Sequence, residues 1–509
     1  MTRALPHIAM QDRTRTDVVV QDLTPRWRLT CLVAVAAIAA AVFPLAAGAH
    51  VGGGALILLL PTRLYVAGGV LVVVASFVLV ALVPARLFAR LESPGIRIGV
   101  GRLPGGAALV AAPSLLSLAV AIALLAAGRL GSRDPLENPL PLFVWTVWWI
   151  GLTYLHAALG NLWAVLNPWT GLYRALTCAG PLRSWRQWPP LDYPERAAHW
   201  PAVICFLPFA WFELIHPSPS DPAVLAAVVA GYLLVHFLGV LSFGEQWLER
   251  GEAFSVFFRV VSWLAPVGAR RAESRADAGG RCEIEVTAPT LRLLRQAPPD
   301  ASVVALVLLV LASVSFDGLS RTFAWLGLLG ENPLAYPGRT VLMARNTLGL
   351  LGMVAALSLA YVIAARLSAR LAGAGRRGAP GVGSLALSLP PIAFGYHFAH
   401  YLPVFLVDAQ QALRAASDPF ALGWDLLGTR DLHVISSLLS DPAWVYAIWH
   451  VQVAVIVAAH VAGVTIAHAL VLRLVGRASA TAVSQLPMLA LMIGYTMFGL
   501  WLLSAPTAG

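Results

Sequence analysis

Gly395-Tyr396-His397-Phe398-Ala399-His400-Tyr401-Leu402-Pro403 sets two histidines three residues apart inside an apolar run that closes at Asp408. On a helix, residues so spaced lie on one face, a turn apart. The apolar surroundings decide what kind of helix this is. Nine more runs like it occur, and together they span about 64–83, 107–127, 142–160, 200–216, 222–243, 301–316, 341–365, 383–407, 443–470 and 482–504. Each is long enough to cross a hydrocarbon core of about 30 Å, some with tilt. Composition agrees: 59% of the 509 residues are hydrophobic and 12% charged, whereas soluble domains carry about 25% charged residues. The expected fold is therefore all-α, a polytopic transmembrane helix bundle of about ten spans following an N-terminal signal peptide or signal anchor.

The loops give an orientation. Those after the first, third, fifth, seventh and ninth runs hold most of the loop arginines, among them Arg86, Arg90, Arg186, Arg270, Arg271, Arg376 and Arg473, while the alternate loops hold none or two. By the positive-inside rule the arginine-rich side faces the cytoplasm and both mature termini face out. The expected home is a bacterial inner membrane. The net charge of +10 is spread over these short loops, which speaks against a nucleic-acid partner. Cys31, Cys178, Cys205 and Cys282 show no paired spacing, so neither a disulfide framework nor a cysteine zinc site is expected.

Residues 1–49 combine a basic leader, the apolar stretch Leu29–Leu45 and small residues up to Ala49, the pattern of a signal peptide, with a signal anchor as the alternative. Cleavage after Ala49 would leave His50 as an outside N-terminus, able to chelate a metal or simply to stand exposed. Residues 50–243 then form a first five-helix half and 301–509 a second. Between them, 244–300 opens with aromatics among charges, which predicts an interfacial amphipathic helix, and continues into an Arg/Ala/Gly-rich flexible linker. No internal repeat supports an inverted-repeat transporter.

A rise of 1.5 Å per residue gives each polar group a depth. His400 and His450 fall about 10 Å below the outer boundary, His397 about 15 Å, and Glu213 and His216 within about 5 Å. Asp317, Arg345 and Asn346 end or open runs on the same side. Imidazoles and carboxylates are ligands for borderline divalent ions such as zinc or copper. The candidate metal ligands are accordingly His397, His400, His450, His216, Glu213 and His50, with Asp317 and Arg345 as candidate catalytic groups. A metal-bound water would supply the nucleophile and Arg345 would offset developing charge. The alternatives are hydrogen-bonded structural histidines and an ordinary salt bridge from Glu213 or Asp317 to Arg345. Deeper, His156, His236 and His460 form a second tier, at about 20–25 Å, that suits structural bonding, a haem or a proton relay. The outer loop Ser417–Trp424 has the aromatic and turn residues of a lid or of interface anchors.

Five strings carry a family resemblance: Ala-His-Val-Gly-Gly (49–53), Asn-Pro-Trp (167–169), Gly-Glu-Ala-Phe-Ser (251–255), Tyr-His-Phe-Ala-His-Tyr (396–401) and Ser-Asp-Pro-Phe followed by Gly-Trp-Asp-Leu-Leu-Gly-Thr (417–429). With these the chain resembles bacterial polytopic membrane proteins labelled fenitrothion hydrolase, from residue 49 to the ninth run. The resemblance implies a membrane-bound organophosphorus hydrolase acting on a lipophilic small-molecule substrate and working with a second, homologous membrane subunit; it assigns no residue a role. Competing classes are a small-solute or metal-ion transporter and a redox membrane subunit. No Walker, dinucleotide, G-x-S-x-G or H-E-x-x-H motif is present, so the sequence has no standard nucleotide or hydrolase signature.

Overall fold

A computed structural model describes residues 62–84, 87–88, 95–102, 106–178, 183–186, 189–271, 281–373, 381–475 and 478–508. The leader, its cleavage site and His50 lie outside the described residues. Each of the ten apolar runs forms a helix: α1 (Thr62–Leu82), α2 (Gly106–Leu130), α3 (Pro139–Leu159), α4 (Trp200–Leu214), α5 (Pro222–Phe243), and, after a short helix α6 (Ala253–Ser262), α7 (Ala301–Ser320), α8 (Arg339–Leu371), α9 (Leu389–Ser417), α10 (Pro442–Val475) and α11 (Ala478–Ser504). Eight are long and apolar enough to cross a membrane. The other two are α4, which is short, and α9, which carries His397, His400, Asp408, Gln410, Gln411 and Arg414. The all-α membrane bundle is thus the architecture found.

At its centre stands α7, apolar on every side from Val303 to Val314, with 78% of the residues in its apolar stretch buried. A helix without a polar stripe must be enclosed, and α4, α6, α8, α9 and α11 pack around it. Its start is anchored by Asp300, whose Oδ1 accepts from the amides of Ser302 (2.9 Å) and Val303 (3.1 Å) while Oδ2 meets His199 Nδ1 at 2.8 Å. Burial tends to raise the Asp300 carboxyl, but the Ser302 hydroxyl, the Val303 amide and His199 outweigh it and hold the group below the usual carboxylate range. A carboxyl lowered by folding adds stability above its unfolded value of about 3.9, and that contribution is lost as pH falls through the folded value. Asp300→Ala should therefore cost about 1 kcal/mol of the kind a helix cap supplies. Detergent unfolding at pH 7 should show this loss, and the gap to the wild type should close below about pH 4; an equal gap at both pH values would refute it.

The crossing of α9 and α10 explains the first residue of the histidine stretch. A Cβ on Gly395 would sit 2.5 Å from the Ala459 Cβ, and one on Gly463 would sit 2.9 Å from the Ser388 carbonyl. Small residues at both points let the two backbones approach closely, as membrane helices do. Within α3, Phe143–Gly151 is wound as a π-helix, a form often found at functional sites.

Two expectations for 244–300 need correction. First, α6 is not an interfacial helix. Phe254, Val256, Phe257 and Phe258 are all buried, packed with Trp148, Trp149 and Phe209. The aromatic surplus that suggested a membrane surface is a core. Second, the described residues after it are not an unstructured linker. β2 (Val267–Arg271) and β1 (Ile96–Arg102) flank β3 (Arg281–Val286) in an antiparallel sheet ordered β1-β3-β2, with Ile98 opposite Ile284. Beyond it Leu293 and Leu294 are fully buried, and Arg473 Nη1 donates to the Leu294 carbonyl at 2.7 Å. The two halves also interlock, since α1 packs on α10 and α11 and α9 on α3.

Candidate functional site

Three helices deliver polar groups to one end of the bundle. Glu213 lies in the last turn of α4, Asp317 in the last turn of α7, and His400 and Tyr401 follow each other in the middle of α9. His400 Nε2 is 2.7 Å from Asp317 Oδ2. The Tyr401 hydroxyl lies 2.8 Å from Glu213 Oε1 and 3.3 Å from Asp317 Oδ2. Its single proton serves one acceptor at a time, and the shorter distance assigns it to Glu213. The result is a continuous line, Glu213–Tyr401–Asp317–His400.

This line borders a cavity of about 600 Å³ whose wall includes Thr146 and Trp149 of the π-wound segment, Arg321, Arg339 and Asp408. Arg339 Nη1 also donates to the carbonyls of Glu213 (2.9 Å) and His216 (3.2 Å), closing the unpaired end of α4 with a cation, as helix C-termini favour. Residues 135–136, 219–220, 505 and 507 also line the cavity. The segment Ser417–Thr429 does not line it. That loop is bonded to itself: Ser417 Oγ meets Asp425 Oδ1 at 2.6 Å, and the Asp418 carboxyl accepts from the amides of Leu422 and Gly423. It is an ordered turn beside the cavity rather than a cover over it.

The expected metal set is not assembled. Among the described residues no group of three or more His, Cys, Asp or Glu side chains is placed to hold an ion. His450 turns to α1, with Nε2 3.4 Å from the Tyr65 hydroxyl and Nδ1 donating to the Tyr446 carbonyl at 2.8 Å. His216 stacks on Phe212 and accepts from the Ser218 amide at 3.1 Å. His397 parts company even with His400. Three residues along a helix leave them about 60° apart, enough to reach different surroundings. His397 meets Trp149 edge-on and borders a separate apolar void of about 30 Å³, and neither ring nitrogen has a hydrogen-bond partner. Arg345 is corrected too: it pairs with Glu331 rather than with Glu213 or Asp317, and also donates to the Leu329 carbonyl at 3.3 Å. Among the described residues, those that fit a metal in kind are not gathered in one place.

The deeper histidines are dispersed. His156 is satisfied on both nitrogens, by the Leu152 carbonyl (2.6 Å) and the Trp163 amide (2.9 Å), and lies flat on Phe258. His460 Nδ1 donates to the Ile456 carbonyl at 2.8 Å, and His236 Nδ1 accepts from Trp247 Nε1 at 3.1 Å. For His156 the structural reading is the one observed.

Tyr401, Arg321 and Arg339 were not singled out by sequence, although Tyr401 sits inside the histidine stretch. A second buried knot was missed as chemistry. Glu252, with no exposed surface, accepts from Trp163 Nε1 (3.1 Å), Asn167 Nδ2 (3.4 Å), the amides of Phe254 (2.9 Å) and Ser255 (2.6 Å), and the Tyr232 hydroxyl. It thereby ties the Asn-Pro-Trp string to the Gly-Glu-Ala-Phe-Ser string. Comparison with family models, with curated proteins and with solved structures finds no match to this chain.

Proposed function

We propose that the chain is a membrane-bound hydrolase of lipophilic organophosphorus triesters, with His400 as general base and Asp317 as the group that positions it. The observation that carries this reading is the 2.7 Å contact between His400 Nε2 and Asp317 Oδ2 at the wall of a 600 Å³ cavity. A carboxylate accepting from Nε2–H leaves the lone pair on Nδ1. This nitrogen takes a proton from water as the water oxygen attacks phosphorus. The phosphorus–oxygen bond to the aryl group breaks, and the nitrophenolate departs as a stable anion with its bonding pair. Guanidinium groups of Arg321 and Arg339 in the same wall offset charge growing on the phosphoryl oxygen or sulfur.

Support for the substrate class comes from the five strings shared with fenitrothion hydrolases, and support for an inner-membrane site opening outward comes from the arginine distribution. Since the metal ligands are not gathered, no step here runs through an ion. A transporter is the second reading, favoured by two carboxyl groups flanking one phenol within a helix bundle, an arrangement that suits proton or cation passage. Purified protein in lipid nanodiscs should release nitrophenol from fenitrothion with saturation kinetics, and His400→Ala should abolish that release. Solute-dependent flux in sealed vesicles without any cleaved product would overturn the hydrolase in favour of the transporter.

A further inference from the structure

On the far side of Trp145 lies a second cavity, of about 780 Å³, enclosed by α2, α3, α4 and α5. Its lining includes the apolar side chains of Leu116, Ile204, Val228 and Val235, which are 42–67% exposed. A mouth so lined opens to hydrocarbon rather than to water. Inside, the rings of Trp148, Trp163, Trp169 and Phe209 dominate the wall, and aromatic walls favour flat aromatic occupants through offset and edge contacts. Gly231 faces open space there, with no atom within 4 Å of where its Cβ would stand.

One polar group marks an end of this lining. His236 is fully buried, and its Nε2 has no partner. Its Nδ1 faces Trp247 Nε1 at 3.1 Å. An indole N–H only donates, so Nδ1 accepts and the proton resides on Nε2. A buried donor without an acceptor is costly; the atom has less than 1 Å² of accessible surface, so an acceptor-bearing occupant relieves it where the imidazole turns toward the chamber.

We infer that this cavity binds a flat aromatic molecule bearing a hydrogen-bond acceptor, drawn from the bilayer. Trp145 lines both this cavity and the one beside His400, with its Nε1 donating to the Pro219 carbonyl at 3.3 Å, and so forms the wall between a lipid-side chamber and the dyad. That the bound molecule belongs to the class hydrolysed next door rests on the function proposed above; the binding does not.

The probe is 4-nitrobiphenyl, which is flat, has a nitro acceptor, quenches indole fluorescence and offers no ester to cleave. In nanodiscs it should quench tryptophan emission saturably. Gly231→Leu, which adds bulk at the lipid-exposed wall of the chamber, should weaken binding at least tenfold with unchanged thermal unfolding. Plain biphenyl should bind more weakly than the nitro compound, and His236→Phe should erase that difference. Unaltered binding in Gly231→Leu would overturn the inference. So would equal quenching by lipids brominated in their acyl chains with and without the probe, which would make an acyl chain the occupant. A protein that binds the probe but never releases nitrophenol would sink the hydrolase and leave this site standing.

Discussion

Asp317→Asn is expected to lower the turnover number for fenitrothion hydrolysis by about 10³-fold while leaving KM within about twofold. A positioned base contributes about 10²- to 10⁴-fold to a proton-transfer step, and the contribution depends on which imidazole nitrogen bears the proton. Asp317 Oδ2 is bonded to His400 Nε2, and on the function proposed above this reserves Nδ1 for the water. An asparagine that presents its amide N–H instead would accept nothing, stabilise the opposite tautomer and place a proton on Nδ1, where the lone pair is needed. Substrate contacts with the rest of the cavity survive, so binding should hardly move. Asp317→Glu, which keeps the acceptor at a slightly different reach, should recover part of the loss. Turnover within tenfold of the wild type in Asp317→Asn would show that His400 is not the base.

Glu252→Ala should have the largest effect on stability, about 4 kcal/mol in mixed-detergent unfolding. Five donors converge on this one carboxyl from Trp163, Asn167, Tyr232, Phe254 and Ser255. Each buried donor left without a partner costs about 1–3 kcal/mol, with relaxation keeping the total below the sum. The same change removes the N-cap of α6, whose phenylalanines fill the core behind Trp149. Glu252→Gln keeps the shape but turns one acceptor into a donor, and about half the loss should follow. A loss under about 1 kcal/mol for the alanine variant would mean that water or a neighbouring group takes over the bonds.

Sequence placed the ten helices because each apolar run is a local signal. It also brought Glu213, Asp317 and His400 to a common level, since depth along a helix is a count of residues. What it could not supply was the angle around the bundle. His450 has a suitable depth but points at Tyr65, and Arg345 a suitable end but meets Glu331. The same limit hid Glu252, whose side-chain partners lie about 20 to 90 residues away in sequence, so that α6 looked amphipathic at a surface. A signal for the sheet was present but unread: Ile96-Arg97-Ile98 and Glu283-Ile284-Glu285-Val286 alternate with a period of two, the pattern of paired strands.

The packing of α1 against α10 and α11 sets a timetable for synthesis. Val70, Val73, Val74 and Phe77 become buried against the bundle, yet α10 begins about 360 residues after α1 ends. At about 5–20 residues per second, that face of the first helix must wait roughly 20–70 s in lipid for its partners to be translated. The bundle closes on its last helices, and a chain that stops short of residue 442 would leave a seam open along its first.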